Sequence, residues 1–468
     1  MKISQAKDIP KVWKIKAIER GQRLKSIRKR VKELTASRDH WRRKYFSLKN
    51  GQREASRKAK RHHYALCWVQ FCLRCHQYGG LGLRACRHCL NCIYLCLNIQ
   101  GRVPSHVSIR NWIIKQGYYQ VHDLAKPKGE WVIWVDESVV LGAESILLVL
   151  VLPLQKWQFE RPVCVSDSHV LWVESRQGWT VQQIQSILQK VKDMVDVQYV
   201  VSDQGINLCK AYAQVGLTHI PDCSHVLANG MEKLYKNDPT FDLFIRWAAQ
   251  LRARWAMSRQ KVAFMPPAHR TKARFANVFP LVRWAKDVLN RPQNTPLVIP
   301  QEVKDELAFL EQHRSFIEEL SWIDHLSSSV AKILKTQGYN SHSRDLIQQC
   351  MNHLGPYITD TIKAFMDHLK GYLENLDKQS LGMEFKPLIC CSDVIESTFG
   401  KFKQKIHPRS PFGMTQFLLS FPNFAQTLNL DLLKTALEST TLVNLTELSA
   451  KRDSFFHLKT QFLGKNGT

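Results

Sequence analysis

The sequence predicts an α/β protein: a mixed five-stranded sheet with helices, interrupted by an all-α insertion and preceded by an all-α region. Three observations lead there. Apolar runs of strand length cluster between residues 131 and 220, with helix-period segments between the later ones. Residues 237–385 are dominated by helical periodicity. Residues 1–120 hold helix-period segments separated by Gly and Pro turns, with no alternating run among them. A chain of 468 residues is long enough for several domains with cores of their own.

Residues 1–62 form a basic arm, read as a helix over 11–61. Residues 1–61 carry 22 Lys and Arg against 5 Asp and Glu, +17 of the chain's net +27. An excess of that size favours a polyanionic partner, either nucleic acid or an acidic membrane surface. The longest purely apolar run, Ile146–Leu152, is far too short for the ~20 residues a membrane span needs, and no signal peptide is expected. Thirteen cysteines without a secretory signal point to free thiols in a reducing compartment. Ile15, Ile18, Leu24, Ile27, Val31 and Leu34 give the arm a thin apolar stripe on a cationic cylinder. A solvated helix, a short coiled coil and a phosphate-tracking arm all fit that stripe. The charge favours DNA contact, with dimerisation possible.

Residues 63–125 read as three helices: Tyr64–Gln77 ended by Gly79-Gly80, Leu83–Leu97 ended by the turn Asn98–Pro104, and a third opening at Ser105 as N-cap. Ser108, Arg110 and Asn111 stand near the start of the third. A plain helical bundle accounts for this pattern, and so does a helix-turn-helix reader whose last helix meets base edges. The neighbouring basic arm favours the reader.

After the linker Leu124–Gly129, residues 130–236 turn to α/β. Strands are expected at 131–140 and, past a Gly142-Ala143 turn, at 145–154, then at 169–175. A helix runs from Thr180 to about Val195, a strand over 197–205, a helix over Ile206–Val215, and a short strand over Leu217–Ile220. This order matches the RNase H-like layout. Residues 237–385 form the all-helical insertion, 386–410 the last helix of the core (about Ser392–Lys405), and 411–468 a helical tail.

Asp136 interrupts an apolar strand, and Asp203 stands at the end of another. A charge on a buried strand is costly unless paired or metal-bound. Glu396 and Asp393 sit at helical spacing in SDVIESTFGKFK. Each aspartate alone reads as a loop cap. Carboxylates from strand, strand and helix together form the donor set that holds two divalent ions ~3.5–4 Å apart for phosphoryl transfer.

On these residues the chain resembles the DDE transposases of bacterial insertion sequences. WVDES supplies the first Asp, VVSDQG the second and DVIESTFGKFK the Glu. Lys403 lies seven residues after Glu396, where such enzymes often carry a DNA-contacting cation, and Lys401 lies beside it. Asp222-Cys223-Ser224-His225 is similar to the C/DxxH signature of Mutator-like and hAT-like transposases, with Asn229 one helical turn further on. Families with that signature place a helical insertion before the Glu, and 193 residues separate Asp203 from Glu396 here. The resemblance covers about residues 130–410. It implies Asp136, Asp203 and Glu396 as catalytic and metal-holding residues, two Mg²⁺ ions (Mn²⁺ able to substitute), and element ends and target DNA as partners. Synapsis of two ends would require a homodimer or larger assembly on DNA, supported in the sequence by the N-terminal stripe alone; the short apolar runs imply no membrane, and the expected place is cytoplasmic or nucleoid-associated in a prokaryote. Asp222 and His225 are read as shaping the site rather than ligating metal.

Cys72-x₂-Cys75 and Cys86-x₂-Cys89 have zinc-site spacing. Both pairs fall inside expected helices, so buried free thiols are favoured over zinc. Arg252, Arg254, Arg259, Lys261, Arg270, Lys272 and Arg274 form a second basic patch, read as a flanking-DNA groove against the alternative of a solvated face. Trp255 is the candidate to stack on an extruded base, although core packing is the commoner fate of Trp. Three rival readings stand beside the transposase. One is a catalytically silent, domesticated transposase that binds DNA sequence-specifically. The others are a structure-specific nuclease on the same fold and a zinc-dependent regulator centred on residues 67–96.

Overall fold

The computed structural model describes residues 9–124, 129–141, 144–157, 160–258, 261–269, 274–290, 301–353, 358–381, 387–405, 418–426 and 428–441. The expected Gly142-Ala143 turn, Arg259, Arg270, Lys272 and most of 411–468 lie outside them. The chain divides into two compact units, residues 1–112 with 428–439, and residues 113–427 with 440–468.

In the first unit α1 (Ile9–Ser56) is a single 48-residue helix. It is followed by α2 (Leu66–Gln77), α3 (Leu83–Cys96) and the start of α4 (His106–His122). Gly80 sits in the left-handed region (φ 64°) just past α2, the conformation a helix stop asks of glycine. The expected cap of α4 is present: Ser105 Oγ accepts from the Ser108 N–H at 3.1 Å. The connection from α3 to α4, residues 97–105, is longer than the 3–4-residue turn of a tight helix-turn-helix.

The second unit carries the sheet. Its strands are β1 (Glu130–Leu141), β2 (Glu144–Pro153), β3 (His169–Arg176), β4 (Asp196–Ser202) and β5 (His219–Pro221), in the order β3-β2-β1-β4-β5. The β1–β2 and β2–β3 pairs are antiparallel; β1–β4 and β4–β5 are parallel. Parallel neighbours need a crossover, and α5 (Val181–Met194) and α6 (Ile206–Val215) provide them. On one face Trp131, Ile133 and Val135 of β1 and Leu147, Val149 and Val151 of β2 pack with Ile184, Leu188, Val191, Leu208 and Ala211. Val132, Trp134 and Asp136 point to the other face by the period-two alternation of a strand.

Beyond β5 come α7 (Cys223–Tyr235), α8 (Pro239–Trp255), α9 (Phe279–Leu289), α10 (Gln301–Gln312), α11 (Arg314–Gln337), α12 (Ser341–Asn352) and α13 (Asp360–Ser380). Every named element among the described residues of 237–385 is accordingly a helix, with no strand between them. Then follow α14 (Asp393–Lys405) and the short α15 (Pro422–Ala425).

Two features depart from the expected organisation. The unit boundary falls inside α4, not in the linker after it. The C-terminal half of α4 is held by residues 419–426: a Cβ on Gly117 would lie 1.7 Å from the Leu419 carbonyl oxygen, so only glycine permits that approach. Asn423 Nδ2 donates to Ile113 O at 2.9 Å, and Gln120 Nε2 to Gln426 O at 3.3 Å. The described residues of the tail divide between the units, 418–426 in the second and 428–439 in the first. Helix α16 (Leu430–Ser439) belongs to the first unit, where Glu438 accepts from the Lys60 N–H at 2.6 Å, Arg57 pairs with Asp431, and Gln70 donates to Leu428 O at 3.1 Å.

Candidate active site

Strand register builds the first half of the site. Trp134 lies opposite Val201 in the parallel β1–β4 pair. Asp136 follows two residues past that rung on β1, and Asp203 two residues past it on the other side. The fourth strand, expected through residue 205, stops at Ser202. Asp203 ends it by turning the chain: its Oδ1 accepts from the Gly205 N–H at 3.1 Å, which leads into α6. Asp136 Oδ1 accepts from the Glu137 N–H at 2.7 Å.

The second half arrives from far along the chain. Trp134 Nε1 donates to Cys391 O at 2.8 Å, which pins the segment before α14 over the Asp136 face of β1. Glu396, in the first turn of α14, then lies with Oε1 3.9 Å from His225 Nδ1. Asp222 is the N-cap of α7 and is almost fully buried. Its Oδ2 accepts from the His225 N–H and faces His225 Nδ1, both at 2.9 Å, while its Oδ1 accepts from the Ser392 N–H at 2.6 Å. One carboxylate thereby ties the start of α7 to the start of α14.

The charges are mutually dependent. Burial and the nearby Asp203 charge push the Asp136 carboxyl up to about 7, with Glu396 adding to the rise. Burial also raises Glu396, against the pull of His225. The Asp222 hydrogen bond raises His225 to about 9, so it is an imidazolium at neutral pH. Burial works to raise Asp222, but its bonds from His225 outweigh that and hold it below the ordinary carboxyl value.

The structure separates the two candidates on α14. Asp393 is ion-paired to Lys335 Nζ at 2.6 Å, whereas Glu396 faces His225 and is felt by Asp136. Asp136, Asp203 and Glu396 thus share one electrostatic site. Among the described residues, the one set of three His, Cys, Asp or Glu donors within 4.8 Å of each other is Asp222, Cys223 and Cys391, so the oxygens of the carboxylate trio are spaced more widely than that.

Sequence reasoning did not single out Cys391, Ser392 or Lys335. Cys223 Sγ and Cys391 Sγ lie 3.3 Å apart, and the Cys223 N–H donates to Cys390 O at 2.8 Å, a second tie between α7 and the α14 approach. No local period announces such contacts; the Cys390-Cys391 doublet next to a helix start was the one available signal.

The remaining candidates are dispersed. Lys401 is half-buried, and Lys403 is exposed with Nζ 5.8 Å from the Phe399 ring centre. Ser108, Arg110 and Asn111 are half-buried on α4, and Arg110 donates to Asn111 Oδ1 at 3.3 Å. Trp255 requires a correction. It is 1% exposed, with Nε1 donating to Glu306 Oε2 at 2.9 Å, so its ring is core and is not presented to a base. The basic patch is also less one-sided than its composition implies. Arg254 and Lys261 both pair with Glu306, Arg274 pairs with Asp242, and Arg252 donates to Pro266 O at 2.6 Å. Acids 32–52 residues away neutralise much of it. Cys72 and Cys86 are buried and Cys75 and Cys89 half-buried. Burial pushes the Cys72 thiol up to about 12, and no three of these four sulfurs lie within 4.8 Å of one another.

Beside Asp203, a cleft of about 630 Å³ is lined by Gln204, Asn229, Lys233, Lys236 and His368, among others. Asn229 Nδ2 donates to Gln204 Oε1 at 2.9 Å. No helix among the described residues is long and apolar enough to cross a membrane. No protein-family model matches this chain, and no curated protein matches it.

Proposed function

We propose that the protein is a DNA transposase of the DDE type on an RNase H-like core. The sheet order β3-β2-β1-β4-β5, with three antiparallel strands followed by two parallel ones, supports that core. The observation that carries the reading is the convergence of Asp136, Asp203 and Glu396, whose burial and mutual charge push the Asp136 carboxyl up to about 7. Acids from β1, the end of β4 and α14, 260 residues apart at the extremes, gather at one place without enough positive charge to balance them.

This donor set fits Mg²⁺ or Mn²⁺, because hard oxygen ligands with surplus negative charge are what such ions take. Asp136, Asp203 and Glu396 would hold the metal, which when bound activates the attacking oxygen and stabilises the leaving one in phosphoryl transfer. The chain's own residues do the positioning. Asp222 fixes α7 against the approach to α14, and the His225 imidazolium sets the orientation of Glu396. Lys335 holds Asp393 away from the trio. The basic arm α1 and the α2–α4 region bind element ends as a helix-turn-helix-like reader, with Lys401 and Lys403 extending contact past the site. Synapsis of two ends needs at least a dimer.

The test is cleavage of a supercoiled plasmid carrying the DNA that flanks this protein's own coding sequence, in Mg²⁺ or Mn²⁺, with Asp203→Ala as control. Nicking at a defined boundary by the wild type alone supports the reading. Equal DNA binding with no cleavage by either protein favours the catalytically silent DNA-binding alternative, to which the wide spacing of the carboxylates lends support.

A further inference from the structure

We infer that α1 is one strand of a parallel, two-stranded coiled coil formed with a second copy of this chain, and that its association is held back by like charge until that charge is screened. Leu24, Ile27, Val31, Leu34 and Trp41 are each 53–62% exposed. With Arg38 they follow a strict 3-4-3-4-3 spacing, the a and d positions of a heptad. The sequence continues that register at Tyr45 and Leu48. The other exposed large hydrophobics among the described residues do not repeat at heptad spacing. A period of 3.5 residues keeps a seam facing its partner only if the partner is another helix of the same period. A second α1 meets that requirement by symmetry.

The central layers favour two parallel strands: Val31 at a with Leu34 at d is the branched-then-Leu choice of dimers, and a single charged a position, here Arg38, fixes register, against the Leu24–Ile27 layer, whose Leu-then-Ile order is that of larger bundles. Arg38 also has a local counter-charge in Asp39, at 2.8 Å. The flanks oppose the seam. In parallel register Arg23 faces Arg28 of the second copy, Arg30 faces Thr35, Ser37 faces Arg42 and Lys44 faces Lys49, so no e–g pair is attractive and two are repulsive. The five exposed side chains offer roughly 400–500 Å² per helix, against the ~800 Å² per partner of a standard interface. Marginal area with repulsive flanks makes a conditional dimer. Screening the flanking cations releases it, and the phosphate backbone that the proposed function assigns to this arm is one such screen. Only the identity of that polyanion rests on the transposase reading.

The test is sedimentation equilibrium of the full-length chain without nucleic acid, in 0.1 M and 1 M NaCl, between which the screening length falls from ~10 to ~3 Å. The monomer–dimer midpoint should drop at least tenfold in the higher salt, opposite to the salt dependence of DNA binding. Arg28→Glu, which turns the Arg23 contact attractive, should reproduce the drop at 0.1 M. The double variant Val31→Lys, Leu34→Lys should stay monomeric at both salts with an unchanged far-UV spectrum, since both sites are exposed in the monomer. A wild type monomeric in both salts at tens of micromolar overturns the inference, and so does a dimer that survives the double variant. Because this experiment contains no DNA, its failure leaves the cleavage test untouched, and the reverse also holds.

Discussion

Asp136→Asn isolates the electrostatic cost that defines the candidate site. The Asp136 carboxyl stands at about 7 in the folded chain against an ordinary 3.8, through burial first and Asp203 second. A folded-state value above the unfolded one means that the native state binds the proton more tightly. Its contribution to stability is therefore complete below about pH 4 and lost as pH rises towards 7. At about 1.36 kcal/mol per pH unit, the span from 3.8 to about 7 corresponds to about 4 kcal/mol as an upper bound, and partial solvent access brings a realistic figure nearer ~2 kcal/mol. Asn has the shape of the protonated acid and no charge to lose. In EDTA the variant's advantage over the wild type should be larger at pH 8 than at pH 5 by roughly 1–3 kcal/mol, or roughly 2–6 °C for a unit of this size. Mg²⁺ at 10 mM should recover most of that difference for the wild type and little for the variant, because an ion that binds only the native state stabilises by mass action. Thermal unfolding at the two pH values, with and without Mg²⁺, measures all of this. An equal offset at pH 5 and pH 8, or equal Mg²⁺ stabilisation of both proteins, would refute the account of Asp136 as an uncompensated carboxyl in a metal site.

Three more expectations follow from individual contacts. Asp222→Ala removes a buried carboxylate that takes three hydrogen bonds from α7 and the α14 approach; urea unfolding should show a loss of ~3–5 kcal/mol. Glu396→Gln should lower plasmid cleavage at least ~10³-fold, whereas Asp393→Asn, which frees Lys335, should cost less than ~10-fold; the reverse order in a cleavage time course would transfer the ligand role to Asp393. Trp255→Phe deletes the bond to Glu306 and leaves a small cavity in the core, so chemical denaturation should register ~2–3 kcal/mol while the cleavage rate on the flanking-DNA plasmid stays within twofold.

What could be read from the sequence was what is local or periodic. The β1 and β2 runs, the Ile206–Val215 helix ended by a left-handed Gly216 (φ 64°) and the Ser105 cap follow from residues within a few positions of each other. Asp136 stands out in company rather than alone, because a single Asp reads as a loop cap whereas carboxylates on strand, strand and helix together do not. The errors came from pairings across long stretches of chain. The sequence around Trp255 does not show that its ring is core, because Glu306, the acceptor that lets its indole be buried, lies 51 residues on. The basic patch looked one-sided for the same reason, since Glu306 and Asp242 are not near its members in sequence. Helix α16 could not be assigned to the first unit, because the polar groups of residues 57–70 that receive it say nothing about a partner more than 350 residues away.

The choice between Asp393 and Glu396 shows how the same long-range logic produces a site. Both stand in the first turn of α14, where either carboxylate gains from the helix N-terminus, so helical spacing alone cannot rank them. Lys335 on α11 engages one, and His225 on α7 faces the other. His225 is itself charged because Asp222 holds it, with a value raised from 6.5 to about 9. A raised value gives stability that is complete below about 6.5 and lost as pH passes through about 9, and the half-exposed ring keeps that contribution modest. The two titrations therefore act in sequence. Between about pH 4 and 7 the metal-free fold loses the Asp136 contribution, and between about 6.5 and 9 it loses that of His225. Stability without metal should decline across the whole interval, while a divalent ion, whose binding to the carboxylates strengthens as they ionise, opposes the first decline and not the second. A wild-type stability curve that rises between pH 5 and 8 in EDTA would contradict both assignments. One that declines and is flattened by Mg²⁺ only up to about pH 7 would separate the role of the carboxylate trio from that of the Asp222–His225 pair.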